Sequence, residues 1–292
     1  MLYKYSYRKP QKVSNMVAGV QATARTIQEM IGLSPPMNIV LVGAILIVLV
    51  LAAVAVALAL RRYRLSKGER FQALLKEPES VGILLHPNPD PDAMATGLGV
   101  ATLAEAVGTE TRIYFPGEIR HQENRAFRAI LDLDLTVIDS RADIDDEEIV
   151  LVDHNEARGF DGASRLRPLA VIDHHPGPGS GQSFTDVRPE YGACATIIAE
   201  YLQSNGFNPV DPEEAADDGH RSIPAPIATG LLYGILSDTD HLTNGCSPAE
   251  FRMAEFLYPG TDSELLSRIA SPQMDAEILD VKAAAIRERE VD

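Results

Sequence analysis

The sequence predicts an α/β fold, a parallel sheet flanked by helices, preceded by one transmembrane helix. Short apolar runs alternate with helical segments from residue 78 onward, as they do in parallel α/β sheets. A stretch of 22 residues near the N terminus has no charged or polar side chain. His and Asp follow several of the apolar runs directly, where such sheets bind ligands. The length of 292 residues and the 45% hydrophobic content allow one full-sized core.

The apolar stretch is Ile39 to Leu60, and as a helix it would span about 33 Å, enough for the hydrocarbon core of a bilayer. A basic cluster follows at once, which indicates a stop-transfer anchor rather than a cleaved signal peptide. By the positive-inside rule this cluster predicts a single-pass protein of the cell membrane whose main domain is cytoplasmic. Four basic residues before the helix weaken that asymmetry: Lys4, Arg8, Lys9 and Lys12.

Five segments follow from this pattern. They are an N-terminal tail with an amphipathic helix between Met16 and Ile31 (1–36), the transmembrane helix (37–60), a basic juxtamembrane linker (61–77), the α/β domain (78–262) and a helical linker (263–292). Whether translation starts at Met1 or at Met37 stays open.

Charge is distributed unevenly along the chain. The net charge is −16, yet residues after position 70 include 16 basic and 40 acidic side chains, a net charge of −24. We interpret this as a halophilic surface for a salty cytoplasm, where salt screens the repulsion; an ordinary acidic soluble surface is the alternative. Binding of duplex nucleic acid needs Lys and Arg side chains for its phosphates, and this part of the chain has few, so we do not expect that function. The two cysteines match neither a disulfide framework nor a zinc motif.

Within the α/β domain the apolar runs predict buried strands and the longer periodic stretches predict helices. The strands are 81–85, 111–115, 148–153 and 168–173, and the helices are 92–107, 122–132, 192–204, 225–237, 247–258 and 273–289.

Four short motifs place acids and imidazoles just after these elements. They are HPNPDPDA, LVDHNE, VIDHHP and GILSDT, which supply His86, Asp90, Asp92, Asp153, Asp173, His174, His175 and Asp238. HPNPDPDA alone is equally typical of a turn. Four carboxylates converging at one sheet edge would repel one another, and cations resolve that conflict. Oxygen ligands with some imidazole favour Mn²⁺ over Mg²⁺, and the lack of nearby cysteine argues against structural zinc.

These motifs, with GACAT at 192–196, resemble the DHH phosphoesterase superfamily in content and order across residues 80 to 245. The resemblance implies two divalent ions, one held by His86, Asp90 and Asp153, the other by Asp92, Asp153, His174 and Asp238. It also implies that His175 faces the phosphate, and we expect Asp173 to orient an imidazole from behind. Gly192 and Thr196, at a predicted helix start, are candidates to bind phosphate, and the alternative is that they are ordinary capping and packing residues. His241, three residues beyond Asp238, is a candidate substrate contact.

Three functions remain open. The first is a membrane-anchored phosphodiesterase for cyclic dinucleotides, short oligonucleotides or nucleoside bisphosphates. The second is a manganese-dependent inorganic pyrophosphatase, which DHNE favours and the Pro between Asp90 and Asp92 disfavours. The third is a tethered nucleotide sensor with little turnover. The resemblance also leaves a homodimer open, and it leads us to expect that a second domain, which closes the cleft in relatives, is absent from a chain ending at Asp292 and that turnover is slow.

Overall fold

The computed structural model describes residues 35–211 and 221–271, together with isolated positions between 21 and 29. The chain divides into two compact units, residues 1–64 and residues 65–292. In the first unit the helix α1 comprises Pro35–Arg64. Its stretch Ile39–Val56 is apolar and contains no buried residue, and by length and composition it could cross a membrane.

The second unit contains the α/β domain. Its helices are α2 (Lys67–Leu75), α3 (Pro91–Glu105), α4 (Gln122–Ile130), α5 (Cys194–Ser204), α6 (Ala225–Asp238), α7 (Pro248–Leu257) and α8 (Ser263–Ala270). Its strands are β1 (Ser80–Leu84), β2 (Glu110–Pro116), β3 (Thr136–Ile138), β4 (Ile149–Val152), β5 (Ala170–Asp173) and β6 (Phe184–Val187), with a short pair β7 (Asn208–Pro209) and β8 (Ser222–Ile223).

Strands β1 to β6 form one parallel sheet in the order β3-β2-β1-β4-β5-β6. The predicted α/β class is therefore confirmed. From β1 the chain continues to β2 on one side, and from β4 it continues to β5 on the other. The gap between β1 and β4 is thus a topological switch point, where the loops after two adjacent strands diverge and leave a crevice for a ligand.

Two apolar cores lie against the sheet. The larger core packs the helices on one face, with Ile83, Met94 and Ile198 fully buried in it. The smaller core contains Leu84 and Leu151 and is covered by residues of the segment from Ile144 to Leu166. Successive residues of one strand alternate between the cores, as the pleat of a strand requires.

The domain begins earlier than residue 78. The capping box of Ser66 and Glu69 starts α2, and its Phe71 and Leu75 are fully buried in the larger core. A Cβ on Gly68 would lie 2.7 Å from the Cα of Tyr201, so α2 packs on α5 closely enough to require glycine. Residues 67–75 of the predicted linker therefore belong to the folded unit. The apolar positions of the predicted amphipathic helix and the predicted helix 273–289 lie outside the described residues.

Candidate metal centre

The carboxyl ends of β1 and β4 bring three of the predicted ligand residues together. His86 Nε2 lies 3.5 Å from Asp90 Oδ2 and 3.3 Å from Asp153 Oδ2. The ligand atoms of this group all lie within 4.8 Å of one another. The group occupies the switch point between the two strands.

A second group lies on the other side of Asp153. His174, just after β5, places its Nε2 3.3 Å from Asp153 Oδ1 and 3.5 Å from Asp238 Oδ2. The same nitrogen lies 3.9 Å from Asp92 Oδ2. Asp153 therefore turns Oδ2 to the first group and Oδ1 to the second, which is the placement of a carboxylate shared by two cations.

Local structure explains why these residues point inward. Asp90 is the N-cap of α3, and its Oδ1 accepts a hydrogen bond from the Ala93 amide while Oδ2 faces His86. Asp153 has a φ of 61°, a left-handed conformation that costs a non-glycine residue about 1–3 kcal/mol and that clusters at functional sites. Asp238 is the last residue of α6. HPNPDPDA thus forms a helix-capping turn and also places His86 and Asp90 where they could bind an ion.

The electrostatics of the cluster indicate a site that takes up positive charge. Burial, and then the charges of Asp153 and Asp238, raise the pKa of Asp92. Burial and neighbouring carboxylates likewise raise the pKa of Asp238 to about 7. Burial disfavours the charged form of His86 and His174, but Asp153 together with Asp90 (for His86) or Asp92 (for His174) outweighs burial and raises both pKa values to about 10.

Two buried atoms at the centre of the cluster make no hydrogen bond to any described residue. They are Asp153 Oδ1 and His174 Nε2, which lie only 3.3 Å apart. An unsatisfied buried polar atom costs about 1–3 kcal/mol, so a folded protein rarely keeps two in contact. A divalent cation would satisfy both. Carboxylate oxygen with imidazole nitrogen is a donor set that suits Mn²⁺.

Asp173 supports His175 beside this cluster. Asp173 Oδ1 accepts hydrogen bonds from the His175 backbone N–H, at 3.0 Å, and its ring Nδ1, at 2.9 Å. The contact with Asp173 raises the pKa of His175, whose side chain is 56% exposed. The other oxygen of Asp173 accepts from Asn155 Nδ2 at 2.9 Å. A buried carboxylate thus fixes the imidazole of His175 beside the cluster.

The model of the DHH family N-terminal domain matches residues 80–235. The chain belongs to the DHH family. The match spans β1 to most of α6 and therefore includes both groups of ligand residues except Asp238.

Curated relatives extend this similarity. An uncharacterized protein of Methanocaldococcus jannaschii is 32% identical over 215 residues, which is 72% of this chain and 41% of that protein. A probable manganese-dependent inorganic pyrophosphatase of Exiguobacterium is 30% identical over 165 residues, 53% of this chain and 49% of that protein. This chain spans about half or less of the length of these two relatives.

A solved structure has a similar fold. It is the crystal structure of an exopolyphosphatase-related protein from Bacteroides fragilis, with a TM-score of 0.51 and 17% sequence identity. The match covers 77% of this chain and 66% of that one. At this level of identity the likeness concerns the fold alone.

The DHH domain corrects the prediction that Gly192 and Thr196 bind phosphate. The free amides at the start of α5 are already used, because Cys194 N and Ala195 N donate to the two oxygens of Asp92 at 2.7 and 2.8 Å. The Gly192 amide donates to buried Glu250 at 3.0 Å, and the side chain of Thr196 is fully buried. The helix start therefore holds a ligand residue rather than a substrate.

His241 of the DHH domain is exposed and belongs to neither ligand group. It lies in a run of three left-handed residues, Asp240, His241 and Leu242, with φ values of 47°, 56° and 63°. Its role as a substrate contact stays a prediction.

Three residues with clear roles escaped the sequence analysis. Asn155 fixes Asp173, Asn88 accepts a hydrogen bond from the Arg120 amide at 2.7 Å, and Glu250 accepts from both Gly192 and Ser247. Only Asn155 carried a signal, since it directly follows Asp153 and His154 in LVDHNE. The partners of the other two are distant in sequence or become evident only from the fold.

Proposed function

We propose that the chain is a membrane-anchored, dimetal phosphodiesterase that hydrolyses cyclic dinucleotides, short oligonucleotides or nucleoside bisphosphates with Mn²⁺. The observation that carries this proposal is the pair of unsatisfied buried atoms, Asp153 Oδ1 and His174 Nε2, within a cluster of carboxylates and imidazoles. Mg²⁺ is the weaker alternative cation, because its donor sets are richer in oxygen.

In this proposal six side chains hold the cations, and Asp153 is shared between them. The others are His86 and Asp90 on one side, and Asp92, His174 and Asp238 on the other. Two such cations supply an activated water and stabilise the charge that develops on phosphate oxygens.

The remaining chemistry belongs to His175. Its Nδ1–H donates to Asp173, so Nε2 is the ring nitrogen left to face a phosphate. The raised pKa of His175 favours the imidazolium, which can donate a hydrogen bond to a phosphate oxygen. Asp173 and Asn155 hold the ring in that orientation.

Membrane anchoring rests on α1. Its apolar stretch is long enough to span a bilayer, and Arg61, Arg62 and Arg64 follow that stretch, which favours a cytoplasmic DHH domain. Extraction of the full chain by detergent, and resistance of the domain to protease added to intact cells, would support this placement. Release by salt washing alone would contradict it.

Turnover of the purified full chain tests the activity. With Mn²⁺ present we expect hydrolysis of cyclic dinucleotides, a 5′-phosphorylated dinucleotide or nucleoside bisphosphates, and no hydrolysis after chelation. His175→Ala should retain its bound Mn²⁺ while turnover falls by about a hundredfold or more. Hydrolysis of none of these substrates by the Mn²⁺-loaded chain would refute the proposal.

The second candidate function is a manganese-dependent inorganic pyrophosphatase. One observation favours it: the Exiguobacterium and Shouchella clausii relatives, 30% and 28% identical to this chain, are both described as probable enzymes of that kind. Hydrolysis of pyrophosphate alone in the same assay would establish this candidate instead of the phosphodiesterase.

A further inference from the structure

The charge of the DHH domain poses a problem for an anionic substrate. The chain has a net charge of −16. The four carboxylates of the metal centre, once ionised, cancel the charge of two divalent cations, so the centre itself offers little net attraction. A substrate with more than one phosphate group needs positive side chains beside the centre.

Arg120 lies on one side of the metal-binding loop. Its amide donates to Asn88 Oδ1 at 2.7 Å, which joins the loop after β2 to the loop that carries His86 and Asp90. Asn124 Nδ2 reinforces the connection by donating to the Pro89 carbonyl at 3.0 Å. The backbone that carries Arg120 is therefore held at the rim of the centre.

Arg158 lies in the loop after β4, which also contacts the metal-binding loop. The next residue, Gly159, has a φ of 88°, and a Cβ there would lie 2.5 Å from Pro87 Cγ. At the start of this loop Asn155 is fixed by its hydrogen bond to Asp173.

Both guanidinium groups are uncommitted. Arg120 and Arg158 are exposed, and within the described part of the chain neither side chain forms an ion pair or a hydrogen bond. Glu118 and Glu156, their acidic neighbours in the same loops, form no ion pair with them there. Two exposed, unpaired arginines therefore lie in loops that contact the loop carrying His86 and Asp90.

We propose that Arg120 and Arg158 form an anion subsite that binds a second phosphate group of the substrate, next to the phosphorus held at the metal centre. The proposal rests on the phosphodiesterase function and narrows its substrate class to molecules with at least two phosphates. Guanidinium binds phosphate oxygens through paired, charge-assisted hydrogen bonds, and the fixed loops limit the entropy lost on binding.

Two phosphodiester substrates distinguish the contribution of the subsite from that of the metal centre. The 5′-phosphorylated diadenylate pApA has two phosphates, and bis(p-nitrophenyl) phosphate has one. In the Mn²⁺-loaded full chain, Arg120→Gln and Arg158→Gln should each lower kcat/KM for pApA about tenfold more than kcat/KM for bis(p-nitrophenyl) phosphate. The loss of kcat/KM for pApA should appear as a higher KM for pApA.

Arg165→Gln is the matched control, since Arg165 is exposed and lies with Ile149 at the amino end of β4, the opposite edge of the sheet. It removes the same charge and should leave the ratio of the two substrates unchanged. Equal losses on both substrates, or an unchanged KM for pApA in the double variant Arg120→Gln/Arg158→Gln, would overturn the subsite.

Binding of a non-hydrolysable analogue of pApA, with a methylene group in place of the bridging ester oxygen, to the Mn²⁺-loaded chain, measured by calorimetry, tests the subsite without turnover. Weaker binding in both arginine variants than in Arg165→Gln supports it, and equal binding refutes it. If the wild-type chain cleaves neither diester, the phosphodiesterase function fails by itself, and the calorimetric comparison still decides on the subsite.

Discussion

Two regions of the DHH domain bury aspartates, and they balance the negative charge in opposite ways. Asp186 on β6 is 1% exposed and accepts hydrogen bonds from Arg188, Lys67 and Tyr201. Burial opposes its ionisation, but these donors outweigh burial and lower its pKa. Its counter-charges are permanent cations that belong to the chain.

The metal centre buries Asp92 and Asp153 just as deeply, at 0% and 1% exposure. Its nearest counter-charges are His86 and His174, which can lose their protons, and the pKa of Asp92 is raised rather than lowered. Burial of an acid is therefore no mark of a functional site. What distinguishes the metal centre is that its positive charge comes from protons on imidazoles, which a metal ion can replace.

The largest expected effect comes from Asp153→Ala. Because Asp153 contacts both ligand groups, its loss should remove Mn²⁺-dependent turnover by more than about a thousandfold, several kcal/mol of barrier. Near-normal activity at saturating Mn²⁺ would end the dimetal interpretation. Circular dichroism should show an intact fold, which separates this effect from unfolding.

Asp186→Ala should instead unfold the domain more easily without reaching the metal centre. It leaves Arg188, whose side chain is 12% exposed, without its main partner, and breaking a buried ion pair costs about 3–5 kcal/mol. Urea denaturation of the metal-free protein measures the loss. A variant as stable as wild type would show that the cations around Asp186 compensate its charge no better than the imidazoles compensate the acids of the metal centre.

The same carboxylate sets a pH dependence. The pKa of Asp186 is lower in the folded than in the unfolded protein, so its contribution to stability is present above the unfolded value of about 3.9. That contribution should disappear as pH falls through the folded pKa. Urea midpoints of wild type should therefore fall below pH 4, and Asp186→Ala should show a smaller fall.

Binding of Mn²⁺ tests whether the protons of the metal centre are replaced by a metal ion. Because the pKa values of His86 and His174 are raised to about 10 without metal, both carry protons at pH 7 and must release them on binding. Calorimetry in buffers of different ionisation enthalpy should detect this release. Mn²⁺ at a hundred times its Kd should raise the free energy of unfolding by about 2.7 kcal/mol. Binding without proton release would contradict the assigned ligands.

The smallest effect is expected for Asp238→Asn in the metal-free protein. The pKa of Asp238 is raised to about 7, so its ionisation, which begins near pH 4 in the unfolded chain, lowers the stability of the folded state progressively between about pH 4 and 7 and by a constant amount above that range. At pH 8 the variant should be slightly more stable than wild type, by under about 1 kcal/mol, because Asp238 is partly exposed. Near pH 3, where Asp238 is protonated in both the folded and the unfolded chain, the two should be nearly equal. A loss of stability at pH 8 would contradict repulsion between ionised Asp238 and the neighbouring carboxylates.

The sequence predicted the sheet, most of its helices and the ligand cluster because each depends on local patterns. Apolar runs mark β1, β4 and β5, and acids that directly follow parallel strands must meet at one edge. It missed the two edge strands, β3 and β6, because each has a single buried residue, Ile138 and Asp186, and therefore no apolar run. It also misjudged Gly192, whose amide donates to Glu250, 58 residues away.

The packing of α2 has a consequence for the order in which the domain can fold during synthesis. Lys67 contacts Asp186 across 119 residues of sequence, and Gly68 packs on Tyr201, which is more distant still. At about 5–20 residues per second, ribosomes need roughly 6–24 s to make that stretch. The first helix of the domain therefore waits, with Phe71 and Leu75 uncovered, until α5 has emerged, and it is the segment on which a chaperone would act.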